Sequence, residues 1–100
     1  MPEITLELSE IPDHGCKLLQ VSERLKIAVF RVGDRVAAIN NRCPHAGGSF
    51  AEGEFDGTIV KCPMHSFRVD VWTGKGNAGK TVTTYPTSVS GDRIRIAVPD

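Results

Sequence analysis

The sequence predicts an all-β fold. Apolar residues alternate with polar ones, or form short continuous runs, and turn residues bound these segments. At the N-terminus, for example, Ile4, Leu6 and Leu8 alternate with polar residues, as in a half-buried strand. No segment shows the firm 3.6-residue period of an amphipathic helix. One hundred residues are enough for one modest core, so we expect a single domain over residues 1–100.

In the first half of the chain, turn and strand signals alternate. Residues 11–15 hold a proline, an aspartate and a glycine and are expected to turn, and residues 17–21 are expected to form a second strand. The clearest signal is a hairpin. The β-rich runs Lys26–Val32 and Arg35–Asn40 are separated only by Gly33 and Asp34, a turn pair.

The second half continues the pattern of short strands and turns. Residues 49–57 contain Gly53 and the turn pair Asp56-Gly57. Residues 73–80 contain three glycines, which suggests a mobile loop, and they lack the full spacing of a phosphate-binding P-loop. Strands are expected at residues 58–61, 67–72, 81–85 and 93–98.

Two short boxes carry the chemistry: Cys43-Pro44-His45 and Cys62-Pro63-Met64-His65, with sixteen residues between them. Together they offer two thiolates and two imidazoles. A zinc finger of the common type runs Cys, Cys, His, His, whereas here each box mixes both ligand types. The mixed order suits a [2Fe–2S] centre with two Cys on one iron and two His on the other. A structural zinc site is the alternative, because the same four donors satisfy a tetrahedral metal.

The flanking residues extend the pattern. The stretches CPHAGG and CPMHSFRVDVWTG, within residues 40–74, resemble the Rieske iron–sulfur family. The resemblance implies a base of antiparallel strands, a β-sandwich, with a smaller cluster-binding subdomain inserted at about residues 41–71. It also implies one Rieske-type [2Fe–2S] cluster, with one-electron transfer as its chemistry. Its ligands would be Cys43, His45, Cys62 and His65.

Two departures from family patterns narrow the subtype. Rieske proteins of the respiratory complexes carry an extra cysteine in each box, joined as a disulfide, but Gly48 and Met64 stand at those places here. High-potential members resemble a pattern with Ser two positions after the second His and Tyr two further on. Phe67 and Val69 stand there and offer no side-chain donor. We therefore expect a low reduction potential, roughly −150 mV.

Composition limits the partners and the compartment. Twelve basic and twelve acidic residues balance, so nothing in the charge argues for nucleic acid. No apolar run approaches the length of a membrane span, and the N-terminus lacks the features of a signal peptide. We expect a soluble, cytoplasmic protein that binds neither nucleic acid nor membrane. Cys16 is expected to be a small buried apolar residue and His14 a turn residue rather than a ligand.

These observations predict a soluble low-potential electron carrier that is not itself an enzyme. Resemblance implies that it passes single electrons from a flavin-dependent ferredoxin reductase to a terminal Rieske non-haem iron oxygenase, such as an aromatic-ring dioxygenase. One alternative is the small Rieske subunit of an assimilatory NAD(P)H nitrite reductase. The other is a zinc-stabilised binding module without redox activity. The chain has no visible nucleophile–base set.

Overall fold

The described part of the chain is almost entirely β-structure. The computed structural model describes residues 3–43, 48–63 and 67–98. Their strands are β1 (Glu3–Glu7), β2 (Cys16–Gln20), β3 (Lys26–Val32), β4 (Arg35–Asn40), β5 (Glu54–Phe55), β6 (Ile59–Lys61), β7 (Arg68–Asp70), β8 (Thr84–Tyr85), β9 (Thr87–Ser90) and β10 (Arg93–Ala97). The helical segments in these ranges are single 3₁₀ turns at Leu8–Glu10, Phe50–Glu52 and Asn77–Gly79. The predicted all-β class is confirmed.

The strands form three antiparallel sheets, ordered β1-β10-β9, β2-β3-β4-β8 and β5-β6-β7. The β3–β4 hairpin is at the centre of the four-stranded sheet, with Phe30 opposite Ala37 and Ala28 opposite Ile39. Gly33 makes the turn between these strands with a φ of 63°, which glycine adopts without steric cost. The third sheet carries the segment that leads into and out of the second Cys/His box.

The β3–β4 hairpin is buried on both faces, which explains its continuous apolar sequence. One face, including Ala28 and Phe30, packs in a core with both box cysteines. The other face, including Ile27 and Val29, packs against Ile94 and other residues of the first sheet. The central sheet therefore separates a site-bearing core from a purely structural one.

Most predicted strands are present with small shifts in their ends. The β3–β4 hairpin matches its predicted bounds, and β10 buries Ile94 and Ile96 while Arg93 and Arg95 face solvent. The predicted strand at residues 81–85 is shorter, since only Thr84–Tyr85 pairs with β4. Strand β9 was not predicted; it is an edge strand whose only large apolar residue is Val89. The two-residue β5 was not predicted either.

Residues 73–80 form the predicted loop, but this loop lies against β7. The Asp70 N–H donates to the Lys75 carbonyl at 2.9 Å, and Asn77 Oδ1 accepts from the Arg68 N–H at 3.0 Å. Val69 and Gly76 form an antiparallel bridge. Composition alone suggested mobility because hydrogen bonds to a distant strand leave no local sequence signal. We call residues 73–80 the strap.

Candidate metal centre

The first box begins in a short hairpin, which we call the Cys43 hairpin (residues 41–50). The Cys43 N–H donates to the Gly48 carbonyl at 2.8 Å, and the Phe50 N–H donates to the Asn41 carbonyl at 2.9 Å. Arg42 and Ser49 are directly opposite each other. These two backbone bonds tie the residues on either side of the first box to each other.

The second box begins in the same way. In the Cys62 hairpin (residues 61–68), the Cys62 N–H donates to the Phe67 carbonyl at 2.9 Å. Lys61 and Arg68 are opposite each other as the last pair of the β6–β7 ladder. In both hairpins the cysteine N–H bonds to the carbonyl five positions later. The two cysteines therefore occupy equivalent positions in their hairpins.

The two cysteines share one buried core. Cys43 and Cys62 are both 0% exposed. They pack in a core that contains Phe50 and Phe67, whose ring centroids are 6.2 Å apart with a tilt of 42°. The aromatic pair brings together the residues that follow each loop and removes water from beside both thiols. Two thiols brought into one apolar core from separate hairpins suit two ligands of a single centre.

Phe67 is at the first of the two positions of the Ser/Tyr donor pattern of high-potential Rieske proteins. It is 6% exposed, and a Cβ built on Gly76 would come within 2.5 Å of its Cζ atom. Phe67 is thus held in a tight apolar pocket between Phe50 and the strap. Val69, the other position of the donor pattern, is 0% exposed. Neither side chain can donate a hydrogen bond to a cluster sulfur.

The two predicted histidine ligands, His45 and His65, lie outside the described residues, as do Pro44, Ala46, Gly47, Met64 and Ser66. The structure therefore places two of the four predicted ligands. It brings Cys43 and Cys62 together as expected, and the histidine assignments stay predictions.

The remaining cysteine and histidine, Cys16 and His14, were not predicted to be ligands. Cys16 is half-buried against the site-bearing core, its Sγ donates to the Ala51 carbonyl at 3.4 Å, and burial raises the pKa of its thiol. His14 is in the predicted turn with a φ of 61°, and its exposed ring contacts the Asp13 carboxylate at 3.1 Å. Cys16 is less buried than expected but still packs as an apolar residue.

Three residues that support the hairpins were missed by sequence reasoning. Asn41 is buried and bonds across the Cys43 hairpin. Gly53 packs so closely on the Lys61 carbonyl, next to Cys62, that a Cβ there would overlap the oxygen. Gly76 gives room to the Phe67 ring. In the sequence, Gly53 and Gly76 indicated only a turn and a loop, and Asn41 is a polar residue at the end of a buried strand.

The donor set fits an iron–sulfur cluster. Thiolates are the protein ligands of such clusters, and a buried apolar shell with few donors is one of the ways in which proteins set their potential. The described residues supply both features: two fully buried cysteines on equivalent hairpins, and Phe50 and Phe67 beside them. No helix in the described ranges is long and apolar enough to cross a membrane.

Comparison with known proteins agrees with this chemistry. Residues 4–89 match the family model for the Rieske [2Fe–2S] domain. The ferredoxin subunit of 3-phenylpropionate/cinnamic acid dioxygenase from Escherichia coli K12 is 35% identical over 97 residues, which cover 93% of this chain and 90% of that protein.

Solved structures show the same fold. A structure of the complex of reduced oxygenase and oxidised ferredoxin in carbazole 1,9a-dioxygenase contains a chain that is 25% identical, with a TM-score of 0.83 and coverage of 94% of this chain and 93% of that one. A putative nitrite reductase small subunit from Mycobacterium tuberculosis has a TM-score of 0.81 at 20% identity, covering 99% and 96%. The second likeness shows the fold alone. With its two buried cysteines on matched hairpins, this chain belongs to the Rieske [2Fe–2S] domain family.

Proposed function

We propose that this protein is an electron-carrier ferredoxin that delivers single electrons to the terminal oxygenase of a dioxygenase system. The observation that carries the proposal is the set of two buried cysteines on equivalent hairpins, in a chain that is 35% identical to a dioxygenase ferredoxin subunit along 93% of its length. The cluster, when bound, accepts and releases one electron at a time. The protein is a carrier and not the oxygenase itself.

We assign Cys43, His45, Cys62 and His65 as the four cluster ligands. Support comes from the family match, the order of ligands in the two boxes and the equivalent register of Cys43 and Cys62. Neutral imidazoles in place of two thiolates remove negative charge from the site, which favours electron uptake. The cluster-binding subdomain would span about residues 41–71, inserted between β4 and β8 of the central sheet.

The apolar surroundings of the cysteines favour a potential at the low end of the Rieske range. Phe67 and Val69 are buried and offer no donor to a sulfur, so the reduced cluster gains no side-chain hydrogen bond from these two positions. We expect about −150 mV, the lower limit for this class of centre. A redox titration above about +100 mV would contradict the assignment to the low-potential branch.

The surface around the hairpins suits short-lived protein encounters. Arg42, which is opposite Ser49 in the Cys43 hairpin, and Arg68, which is opposite Lys61 in the Cys62 hairpin, are both exposed. The acidic residues Glu52, Glu54 and Asp56 nearby are exposed too. Exposed charge of both signs around an electron-transfer site favours fast, weak association that weakens with salt. We propose a flavin-dependent ferredoxin reductase as the electron donor, the oxygenase as the acceptor, and the cytoplasm as the compartment.

The test is direct reoxidation of the reduced holo protein. The protein is reduced by one electron, mixed with a terminal oxygenase of the Rieske non-haem iron class, and followed by its visible spectrum. We expect rapid oxidation that slows as salt is added. The second candidate is the small subunit of a nitrite reductase. Reoxidation only by a sirohaem nitrite reductase would favour that role and overturn the first.

A further inference from the structure

Asn41 ties together the two limbs of the Cys43 hairpin. Its side chain is 5% exposed, and it is the one buried polar residue found in the described ranges. It precedes Cys43 by two positions, at the point where β4 has ended and the ligand loop has not yet begun. A buried polar side chain is costly unless it is fully hydrogen-bonded, so its contacts indicate what it does there.

Every polar group of Asn41 has a partner. Nδ2 donates to Ser49 Oγ at 2.8 Å, and Oδ1 accepts from the Ala51 N–H at 2.8 Å. Its backbone N–H donates to the Lys26 carbonyl, and its carbonyl accepts from the Phe50 N–H, each at 2.9 Å. Since Ala51 offers only an N–H, the orientation of the amide is fixed by this contact.

The Cys43 hairpin needs these bonds because its described residues form only a short ladder. These residues share two backbone hydrogen bonds between the limbs, and the return limb enters the 3₁₀ turn Phe50–Glu52 instead of a strand. The Cys62 hairpin, in contrast, extends the three-pair ladder of β6 and β7. The Asn41 side chain adds two bonds to the return limb, at Ser49 and Ala51, and Lys26 anchors it to β3.

We propose that Asn41 is a positioning residue for the cluster. It holds the limbs of the Cys43 hairpin at a fixed separation and so keeps the Cys43 sulfur in the water-free core with Phe50. This inference rests on Cys43 being a ligand, which belongs to the proposed function, but it does not depend on the identity of the electron acceptor. Greater access of water stabilises the more negative, reduced cluster, so opening this hairpin raises the reduction potential.

The test compares Asn41→Leu, Ser49→Ala and Ser49→Thr as holo proteins, with the exposed Ser88→Ala in β9 as control. Leu keeps the branched shape and the number of side-chain heavy atoms of Asn41 but loses both side-chain bonds. Ser49→Ala removes one bond, and Ser49→Thr retains the hydroxyl. Reduction potential, the EPR line shape of the reduced cluster and the rate of cluster loss are measured for each.

We expect Asn41→Leu to raise the potential and to lose its cluster about tenfold faster than Ser88→Ala, because the hairpin that carries Cys43 is then held less firmly. Ser49→Ala should shift both quantities in the same direction by less, and Ser49→Thr should restore them. If Asn41→Leu does not fold with a cluster, the comparison of Ser49→Ala with Ser49→Thr tests the proposal instead. The proposal is overturned if Asn41→Leu, or Ser49→Ala where it decides, changes only the free energy of unfolding and leaves the potential and EPR line shape as in wild type.

Failure of the proposed function can be distinguished from failure of this inference. A wild-type protein that holds a cluster but fails to reduce any oxygenase would remove the carrier role and leave the role of Asn41 intact. A wild-type protein that binds no iron would remove both.

Discussion

The Cys43 hairpin and the Cys62 hairpin present their cysteines in the same register but are stabilised by different means. Hydrogen bonds from the buried amide of Asn41 hold the Cys43 hairpin. A strand ladder and close packing hold the Cys62 hairpin: the β6–β7 ladder continues into it, Gly53 contacts the Lys61 carbonyl, and Gly76 contacts the Phe67 ring. Equivalent backbone geometry can therefore arise from side-chain hydrogen bonds in one hairpin and from a ladder with closely packed glycines in the other.

The largest effect should come from Gly53→Ala. The added Cβ would overlap the Lys61 carbonyl oxygen, a backbone atom that cannot move without displacing Cys62. We expect the free energy of unfolding to fall by about 3 kcal/mol and the iron content to fall with it, measured by denaturant titration and metal analysis.

The control for Gly53→Ala is Gly33→Ala. Gly33, unlike Gly53, has a positive φ, of 63°, and no atom lies within 4 Å of the added Cβ. Its cost should be limited to backbone strain, about 1 kcal/mol. Equal losses for the two variants would show that close approach to Lys61 is not what holds the Cys62 hairpin.

Gly76→Ala should disturb one hairpin and spare the other. Its Cβ would press on Phe67 at 2.5 Å, so the ring must move and the strap must shift from β7. We expect a loss of about 2 kcal/mol. Amide hydrogen exchange should quicken at Cys62, whose N–H bonds to the Phe67 carbonyl, and stay unchanged at Cys43.

A second substitution tests whether overlap with the Phe67 ring causes this loss of stability. Phe67→Leu in the Gly76→Ala background makes room for the new methyl group and should recover part of the lost stability. Faster exchange at both cysteines in Gly76→Ala would mean that the two hairpins do not rely on separate supports.

Asn77→Ala should have a smaller effect on the same hairpin. It removes the acceptor for the Arg68 N–H, an exposed bond of 3.0 Å between the strap and β7. Water can replace this acceptor, so we expect a loss of about 1 kcal/mol, measured by denaturant titration. A loss as large as that of Gly76→Ala would show that hydrogen bonding, and not packing, dominates the strap.

The smallest effect concerns acid stability near the Cys62 hairpin. Asp56 Oδ1 accepts from the Ile59 and Thr58 N–H groups in the turn before β6, and these bonds lower the pKa of the carboxyl. A lowered pKa stabilises the fold above the unfolded value, about 3.9, and this contribution is lost as pH falls through the folded value. Asp56→Asn should show a shallower loss of stability below about pH 4 than wild type. Identical acid profiles would contradict this role.

The sequence predicted the elements whose signals are local. The β3–β4 hairpin was located to the residue because its two apolar runs flank Gly33 and Asp34. Cys43 and Cys62 were predicted as ligands because the order and spacing of Cys and His residues are visible in the sequence itself. Asn41, Gly53 and Gly76 were not, since each acts through a partner that only the fold brings close: Ser49, Lys61 and Phe67. Strand β9 was missed because an edge strand with one large apolar side chain needs little hydrophobic sequence.

We propose that Cys43 and Cys62 hold one Rieske [2Fe–2S] cluster together with His45 and His65. The most direct measurement is the iron and acid-labile sulfide content of the purified protein, with EPR after one-electron reduction. Wild type and His14→Ala should contain a cluster with an EPR signal, and Cys43→Ser, Cys62→Ser and His65→Ala should each lose it. A colourless protein with stoichiometric zinc after anaerobic reconstitution, or a normal cluster in Cys43→Ser or His65→Ala, would contradict the account.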